Sequence, residues 1–330
     1  MKILVIGATG FIGRHLVREL AKKTKNIRCL VRKKSDIKAL EKLKLDFYWG
    51  DILNKASLIR STKNIDIVFH LVGIGSIADF SQHGFLKYKK INVNGIKNLL
   101  EACQKNKVKG VVYFSSLAAQ GVIPDKVVTE KTRSCPQTPY EKSKYLSELI
   151  VEKYRKKNIF PISIIRPAMV YGPEAEVSDI LFLAKLVQKQ LCPIIGDGKN
   201  ILPLVYVKDL VRAVAKLVDK SELPNKTYNI TRENPVKYKE LLECLKKVKE
   251  NHCMFIHIPK GVAKAGAYLL KFASLLTQKP PMITPLRIDS ITANRLYDVS
   301  LAQKELDFCS SNFPYTIKET INWYKKNQCL

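Results

Sequence analysis

Gly7-Ala8-Thr9-Gly10-Phe11-Ile12-Gly13 follows a four-residue apolar run at residues 3–6 and leads straight into a helical-period segment. A strand that turns at once into a helix, with glycine at every third place, leaves the chain few options. One glycine permits the tight turn, another lets the backbone approach a bound group, and the third lets helix lie against strand. The helix N-terminus behind the turn offers amide donors and a partial positive charge, which suits a pyrophosphate. The turn therefore predicts a bound dinucleotide, held by Gly7, Thr9, Gly10, Phe11, Ile12 and Gly13.

Apolar runs of strand length recur at residues 27–31, 67–71, 111–115 and 162–165, with helical-period segments at 11–23, 85–106 and 140–158. Strand and helix in alternation return each strand parallel to the last, with helices on both faces. Residues 1–166 are thus expected to form an α/β domain, a Rossmann-type doubly wound parallel sheet. After Arg166-Pro167 the rhythm loosens. Breakers at Gly172-Pro173, Gly196-Asp197-Gly198 and Pro280-Pro281 separate helices expected near 178–189, 208–219, 239–251, 261–276 and 317–326. That pattern predicts a smaller C-terminal α+β substrate lobe of residues 167–203 and 231–330, with 204–230 returning to the first domain.

The 330 residues are 46% hydrophobic, which supports a sizeable core and excludes a disordered chain. A net charge of +28, from 57 basic and 29 acidic residues, raises nucleic acid as a partner, yet only 12 of the basic residues are Arg. Nucleic-acid interfaces favour arginine's bidentate fork, and these lysines are scattered, so no nucleic-acid partner is expected. An anionic membrane surface is the remaining partner for the surplus. The longest apolar region, 261–276, is interrupted by Lys264 and Lys271 and falls short of the ~20 residues of a spanning helix. It reads as a buried or interfacial helix. No apolar leader with a small-residue cleavage site is legible, so the expected location is cytoplasmic, with peripheral membrane contact. Eight cysteines lie far apart with no Cys-x-x-Cys, which points to reduced packing thiols and no metal site.

At the end of the second strand a dinucleotide site commonly places a carboxylate against the ribose hydroxyls. Arg32-Lys33-Lys34 stand there instead. These cations attract a 2′-phosphate, so NADP(H) is favoured over NAD(H), with Asp36 as the nearby carboxylate that would reverse the preference. Tyr140 and Lys144, four apart on a helical segment, share one face. A phenol with a pKa of about 10 relays protons poorly at neutral pH, and an ammonium beside it stabilises its phenolate. With 14 tyrosines in so lysine-rich a chain, such a pair arises by chance. Its place is what informs, after the 111–115 strand and Ser116, where the carboxyl ends of strands gather ligands.

Together with the glycine turn, Gly50-Asp51-Ile52, His70-Leu71-Val72-Gly73, Asn92-Val93-Asn94-Gly95, Ser115-Ser116 with Gly121, Tyr140-Glu141-Lys142-Ser143-Lys144, Arg166-Pro167 and Val205-Tyr206-Val207-Lys208-Asp209 give the chain its likeness. It resembles the extended short-chain dehydrogenase/reductase superfamily, the NAD(P)-dependent epimerase/dehydratase group. The resemblance implies that Tyr140 is the general acid/base, that Lys144 lowers its pKa and holds the nicotinamide ribose, and that Ser116 hydrogen-bonds the substrate oxygen. It implies that Asp51 with Ile52 faces the adenine, that Leu71, Val72 and Gly73 pass beneath the adenosine, and that Asn92 supports the proton relay. Pro167 belongs to the same cofactor-binding set. Ser116 is preferred to Ser115 by its spacing to Gly121, although two serines at a strand's end also cap a turn. A homodimer through the helices at 85–106 and 140–158 is the family habit.

Three substrate readings follow. Nucleotide-sugar epimerases and dehydratases of this superfamily place an Asn and an Arg on the substrate diphosphate, where this chain has Met169 and Leu202. A diphosphate there lacks charge-assisted donors. Segments 194–200, 261–276 and 280–284 look similar to the 3β-hydroxysteroid dehydrogenase and dihydroflavonol reductase branches. Tyr268, Leu269, Phe272 and Leu276 make one helical stripe, facing either the core or an apolar substrate. The third reading is a cofactor-binding interaction subunit without catalysis, and the intact Tyr140–Lys144 pair speaks against it. The expectation is hydride transfer on an apolar small molecule.

Overall fold

Isoleucine, valine and phenylalanine crowd the runs at 67–70 and 110–114, and side chains of this kind pack best in strands buried on both faces. The computed structural model describes residues 1–75, 82–249, 252–277 and 283–330. The chain runs β1 (Ile3–Ile6), α1 (Phe11–Ala21), β2 (Ile27–Val31), β3 (Asp46–Trp49), α2 (Lys55–Ser61) and β4 (Ile67–His70). Next come α3 (Gln82–Tyr88), a π-helical turn (Lys89–Val93), α4 (Asn94–Lys105), β5 (Gly110–Phe114), β6 (Val127–Val128), α5 (Pro139–Lys156) and β7 (Ile162–Pro167). Then follow β8 (Met169–Tyr171), α6 (Asp179–Gln188), β9 (Leu191–Ile195), β10 (Ile201–Leu202), β11 (Leu204–Tyr206), α7 (Val207–Ala215) and β12 (Thr227–Ile230). The chain ends with β13 (Val236–Lys237), α8 (Tyr238–Lys249), β14 (Met254–Ile258), α9 (Lys260–Thr277), α10 (Pro285–Thr292), β15 (Leu296–Tyr297), α11 (Ser300–Leu306) and α12 (Phe313–Lys326).

Seven of these strands form one parallel sheet in the order β12-β7-β5-β4-β1-β2-β3, the expected doubly wound α/β fold. Alternation along β1 divides the core. Ile3 and Val5 pack with Leu16, Leu20, Val211 and Leu306 of α1, α7 and α11 on one face. Leu4 and Ile6 pack with Leu58, Ile96, Leu99 and Val151 of α2, α4 and α5 on the other. Each fully buried Leu or Ile contributes about 1.5–3 kcal/mol by leaving water. The winding direction reverses between β1 and β4, and ligands gather at such a crevice, outside the carboxyl ends of the strands.

A third core, with Tyr171, Ile180, Leu241, Leu245, Ile317 and Tyr324, lies among α6, α8 and α12 and the short ladders around them. There β9 pairs with β14 in parallel and β10 with β13 antiparallel. β11 pairs with β8, whereas β12 extends the main sheet beside β7.

Several elements differ from the sequence expectation. β3 is an edge strand with half-exposed side chains, so no apolar run marks it. The single helix expected over 85–106 is broken by the π-helical turn, which contains Asn92. The last helix starts at Phe313 rather than 317, because Asn312 caps it and Pro314 suits a first turn. In α9 the apolar stripe faces neither core nor cleft: Tyr268, Leu269 and Phe272 are 59%, 71% and 65% exposed. The helix instead docks by its small-residue face, with Ala267 buried and Lys260 and Lys264 paired to Asp289 of α10 at 3.0 and 2.9 Å. The side chain of Leu276, residues Pro280, Pro281 and Met282, and the end of the helix expected to reach 251 lie outside the described residues. Among the described residues no helix is long and apolar enough to cross a membrane.

Candidate active site

The loops that leave β1, β2, β3 and β4 enclose a cleft of about 460 Å³. Gly7, Thr9, Gly10, Arg32, Asp51, Ile52, Leu71, Val72 and Gly73 line it, while Phe11, Ile12 and Gly13 form the first turn of α1 behind. Gly7 has φ of +92°, which side chains rarely tolerate. A Cβ on Gly13 would overlap the Gly7 carbonyl, so helix and turn touch backbone to backbone. Gly10 caps α1 without any side-chain hydrogen bond, and the first-turn amides stay available to an anion. The exposed Arg32 is fixed in a turn, its amide donating to Ser35 Oγ at 3.1 Å and its carbonyl accepting from the Ser35 amide at 2.8 Å. Asp36 is turned to its own backbone, accepting from the Lys38 amide at 3.0 Å. Asp51 accepts from the Leu53 amide at 2.8 Å, so its carboxylate is held at the cleft wall. Cleft, uncapped helix end and close glycine turn fit a dinucleotide.

Tyr140 and Lys144 owe their place to the start of α5. Thr138-Pro139-Tyr140-Glu141 is a capping box: Glu141 N–H donates to the Thr138 hydroxyl at 3.2 Å, and the Glu141 carboxylate accepts from the Thr138 amide at 3.0 Å. One turn beyond Lys144, Glu148 forms a buried bidentate pair with Arg166, at 2.9 and 2.6 Å, which ties α5 to β7. Ser116 caps the turn after β5, its hydroxyl oxygen accepting from the Ala118 amide at 3.2 Å.

Burial pushes the Tyr140 phenol above the usual tyrosine value, while a hydrogen bond from Ser116 opposes the shift. Burial pulls Lys144 down to about 8, with Glu148 opposing. The Lys144 ammonium donates to the Phe114 carbonyl at 3.0 Å and lies 5.6 Å from the centre of the Tyr113 ring. Asn92 binds Ile74 twice, accepting from its amide at 2.9 Å and donating to its carbonyl at 2.8 Å, and donates to Ser143 at 2.9 Å. It thereby fastens the loop after β4 to α5. That loop joins the two clusters: a Cβ on Gly73 would sit 2.9 Å from Lys144 Nζ, and one on Gly75 would overlap the Tyr140 ring. Pro167 stands apart from both, buried at the end of β7 opposite Ile230.

Sequence reasoning missed a polar layer beneath Lys144. Both His70 ring nitrogens, the Tyr113 hydroxyl and the Ser115 hydroxyl are buried without a hydrogen-bond partner. His70 stacks on Tyr113 at 5.7 Å, and burial, with Lys144 adding to it, lowers its pKa to about 3. A neutral His70 therefore spares Lys144 a second cation. Nothing in the spacing of these residues announces the layer, because two strands and a helix assemble it. At the two places expected to serve a diphosphate, Met169 packs against the apolar third core and Leu202 is buried in it.

Doubly wound sheet, glycine turn and cleft define a dinucleotide-binding protein, with Tyr140 and Lys144 beside the cleft loop. The sequence profile of the NAD dependent epimerase/dehydratase family matches residues 3–231, and the chain belongs to that family. It is 34% identical to a dTDP-D-glucose 4,6-dehydratase of Dictyostelium discoideum over 69% of its own length and 58% of the relative's. That relative is therefore much the longer protein. This chain is 27% identical to the decarboxylating sterol-4-alpha-carboxylate 3-dehydrogenase of Candida albicans over 98% of both chains. In fold it is similar to the crystal structure of gox2253, with a TM-score of 0.86, 20% identity and coverage of 100% of this chain and 99% of that one.

Proposed function

We propose that the protein moves hydride between a secondary alcohol or ketone and a nicotinamide dinucleotide, NADP(H) in preference to NAD(H). The alcohol belongs to an apolar, hydroxysteroid- or dihydroflavonol-like skeleton. The carrying observation is that the dinucleotide cleft and the Ser116, Tyr140 and Lys144 cluster meet at the loop of Gly73 to Gly75. Tyr140 holds or receives the proton of the substrate oxygen, and Ser116 hydrogen-bonds the same oxygen. Lys144 favours the phenolate by its charge, and Asn92 positions the loop and helix that carry the pair. The bound dinucleotide supplies the hydride acceptor or donor. The glycine turn would hold its diphosphate, Asp51 and Ile52 the adenine, Leu71, Val72 and Gly73 the adenosine, and Arg32 a 2′-phosphate.

Met169 and Leu202 support the apolar substrate, since neither donates to an anion, and so does the end-to-end likeness to a sterol dehydrogenase. A nucleotide-sugar dehydratase or epimerase is the second reading, supported by the likeness to the Dictyostelium protein. Contact with an anionic membrane surface belongs to the first reading, supported by the exposed stripe of α9. Turnover of sterol and flavonoid-type alcohols against UDP- and dTDP-sugars, with either cofactor, separates the two. Tyr140→Phe is expected to lower kcat by about 10²–10⁴-fold with dinucleotide affinity kept. Unchanged turnover excludes Tyr140 as the acid/base.

A further inference from the structure

An arginine whose Nε is sealed from water ordinarily has a partner, because an unpaired buried cation is costly. Arg14 has Glu174 at 3.1 Å. Arg232 donates to the Ser311 carbonyl at 2.8 Å and lies over the Phe313 ring. Arg295 has neither. Its Nε is buried without a hydrogen-bond partner, and among the described residues no ion pair reaches its guanidinium. Burial pulls its pKa down, and Tyr297, Glu141 and Asp179 are the facing groups that oppose the shift. Glu141 is already committed, accepting from the Gln137 and Thr138 amides at 2.8 and 3.0 Å, and Asp179 stands in the first turn of α6.

The residues on both sides of Arg295 are clamped. Asn294 accepts from the Ile201 amide at 3.1 Å and donates to Asp125 at 2.9 Å. Leu296 and Tyr297 form β15, paired with β6 in the segment between Ser116 and Tyr140. The segment of Arg295 is thus held against the strand of Leu202 and the segment before α5, and the carboxylates at the starts of α5 and α6 act on its guanidinium. Its facing carboxylates include the neighbour of Tyr140.

We infer that Arg295 is the anion-binding residue of the substrate site and takes a carboxylate that the substrate carries near its reacting carbon. A planar guanidinium matches a carboxylate in bidentate fashion. One compact anion on an otherwise apolar molecule also agrees with Met169 and Leu202, which offer a diphosphate nothing. The inference rests on the apolar-alcohol reading and sharpens it to a hydroxy acid.

The test compares wild type, Arg295→Met and Arg295→Lys for binding of a 4α-carboxy-3β-hydroxysterol, its methyl ester and UDP-glucose, by titration without turnover. Arg295→Met is expected to weaken the acid by about 10–100-fold and leave the ester within about threefold, with Arg295→Lys between. Without ligand, Arg295→Met is expected to melt no lower than wild type, since an unpaired buried charge has gone, and to lose the stabilisation that sodium acetate gives the wild type. A Met variant that melts several degrees lower, or loses acid and ester alike, makes Arg295 a structural residue and overturns the inference. Selective loss of UDP-glucose overturns it in favour of a diphosphate. If wild type binds neither sterol, the apolar-alcohol reading fails by itself, and melting without ligand and with acetate still decides Arg295.

Discussion

Lys144 keeps its charge against burial, with its folded pKa near 8 and an unfolded value of about 10.4. Below pH 8 both states bind the proton and the fold bears the whole cost of a desolvated ammonium. Between about 8 and 10.4 the unfolded chain binds the proton that the folded chain has released, so stability rises with pH there. Lys144→Met is therefore expected to be more stable than wild type at pH 7, by up to about 3 kcal/mol, and to lose that advantage by about pH 10.5. Urea denaturation of both proteins at the two pH values checks it, and an advantage that does not change with pH refutes it. At the other end of the cleft, Arg32→Glu is expected to weaken NADPH by about 10–100-fold and spare NADH, read by fluorescence titration. Equal loss of both cofactors removes the role given to Arg32. The places of Tyr140, Lys144 and Arg32 beside the cleft were legible because local spacing and chain order mark them. His70, Tyr113 and Arg295 were not, because an orphaned polar atom exists only once distant elements close around it.

Among elements, the turn from β1 to α1 was fully legible, and the contact that requires it is steric. Gly13→Ala would set a Cβ into the Gly7 carbonyl, which is backbone and cannot rotate away, whereas at Gly10 the same carbonyl stands 3.3 Å from a Cβ. Gly13→Ala is expected to destabilise the protein by about 1–3 kcal/mol and abolish dinucleotide binding, with Gly10→Ala milder in stability. Thermal melts with cofactor titration distinguish them, and normal binding by the Gly13 variant would falsify the close-contact argument. The start of α5 was also written locally, since Thr138-Pro139-Tyr140-Glu141 carries its own cap. The π-helical turn at Asn92 was not. An apolar period of 3.6 runs through residues 85–106, and the extra residue of the turn goes with an Asn92 that bonds Ile74 and Ser143 together.

At the scale of the whole molecule, the sheet and its flanking helices follow from alternation, but the surface does not follow from composition. The net charge of +28 says only that cations exceed anions. The fold shows where an apolar face lies beside them. α9 carries no acidic residue and turns Val262, Tyr268, Leu269 and Phe272 outward, while Lys260 and Lys264 hold it to Asp289 and Lys271 stands exposed beside the stripe. Left in water, such a stripe costs apolar hydration; laid in the headgroup region, it recovers that term, and each nearby lysine adds about 1 kcal/mol on an anionic surface. The protein is therefore expected to sediment with phosphatidylserine-rich vesicles at low salt, weakly with neutral ones, and less as salt screens the lysines. Leu269→Glu with Phe272→Glu removes the apolar contribution without touching the cleft, so vesicle binding is expected to fall while turnover of a soluble alcohol holds. Equal binding to neutral and anionic vesicles, or a double variant that binds as before, places the apolar face of α9 outside any membrane contact.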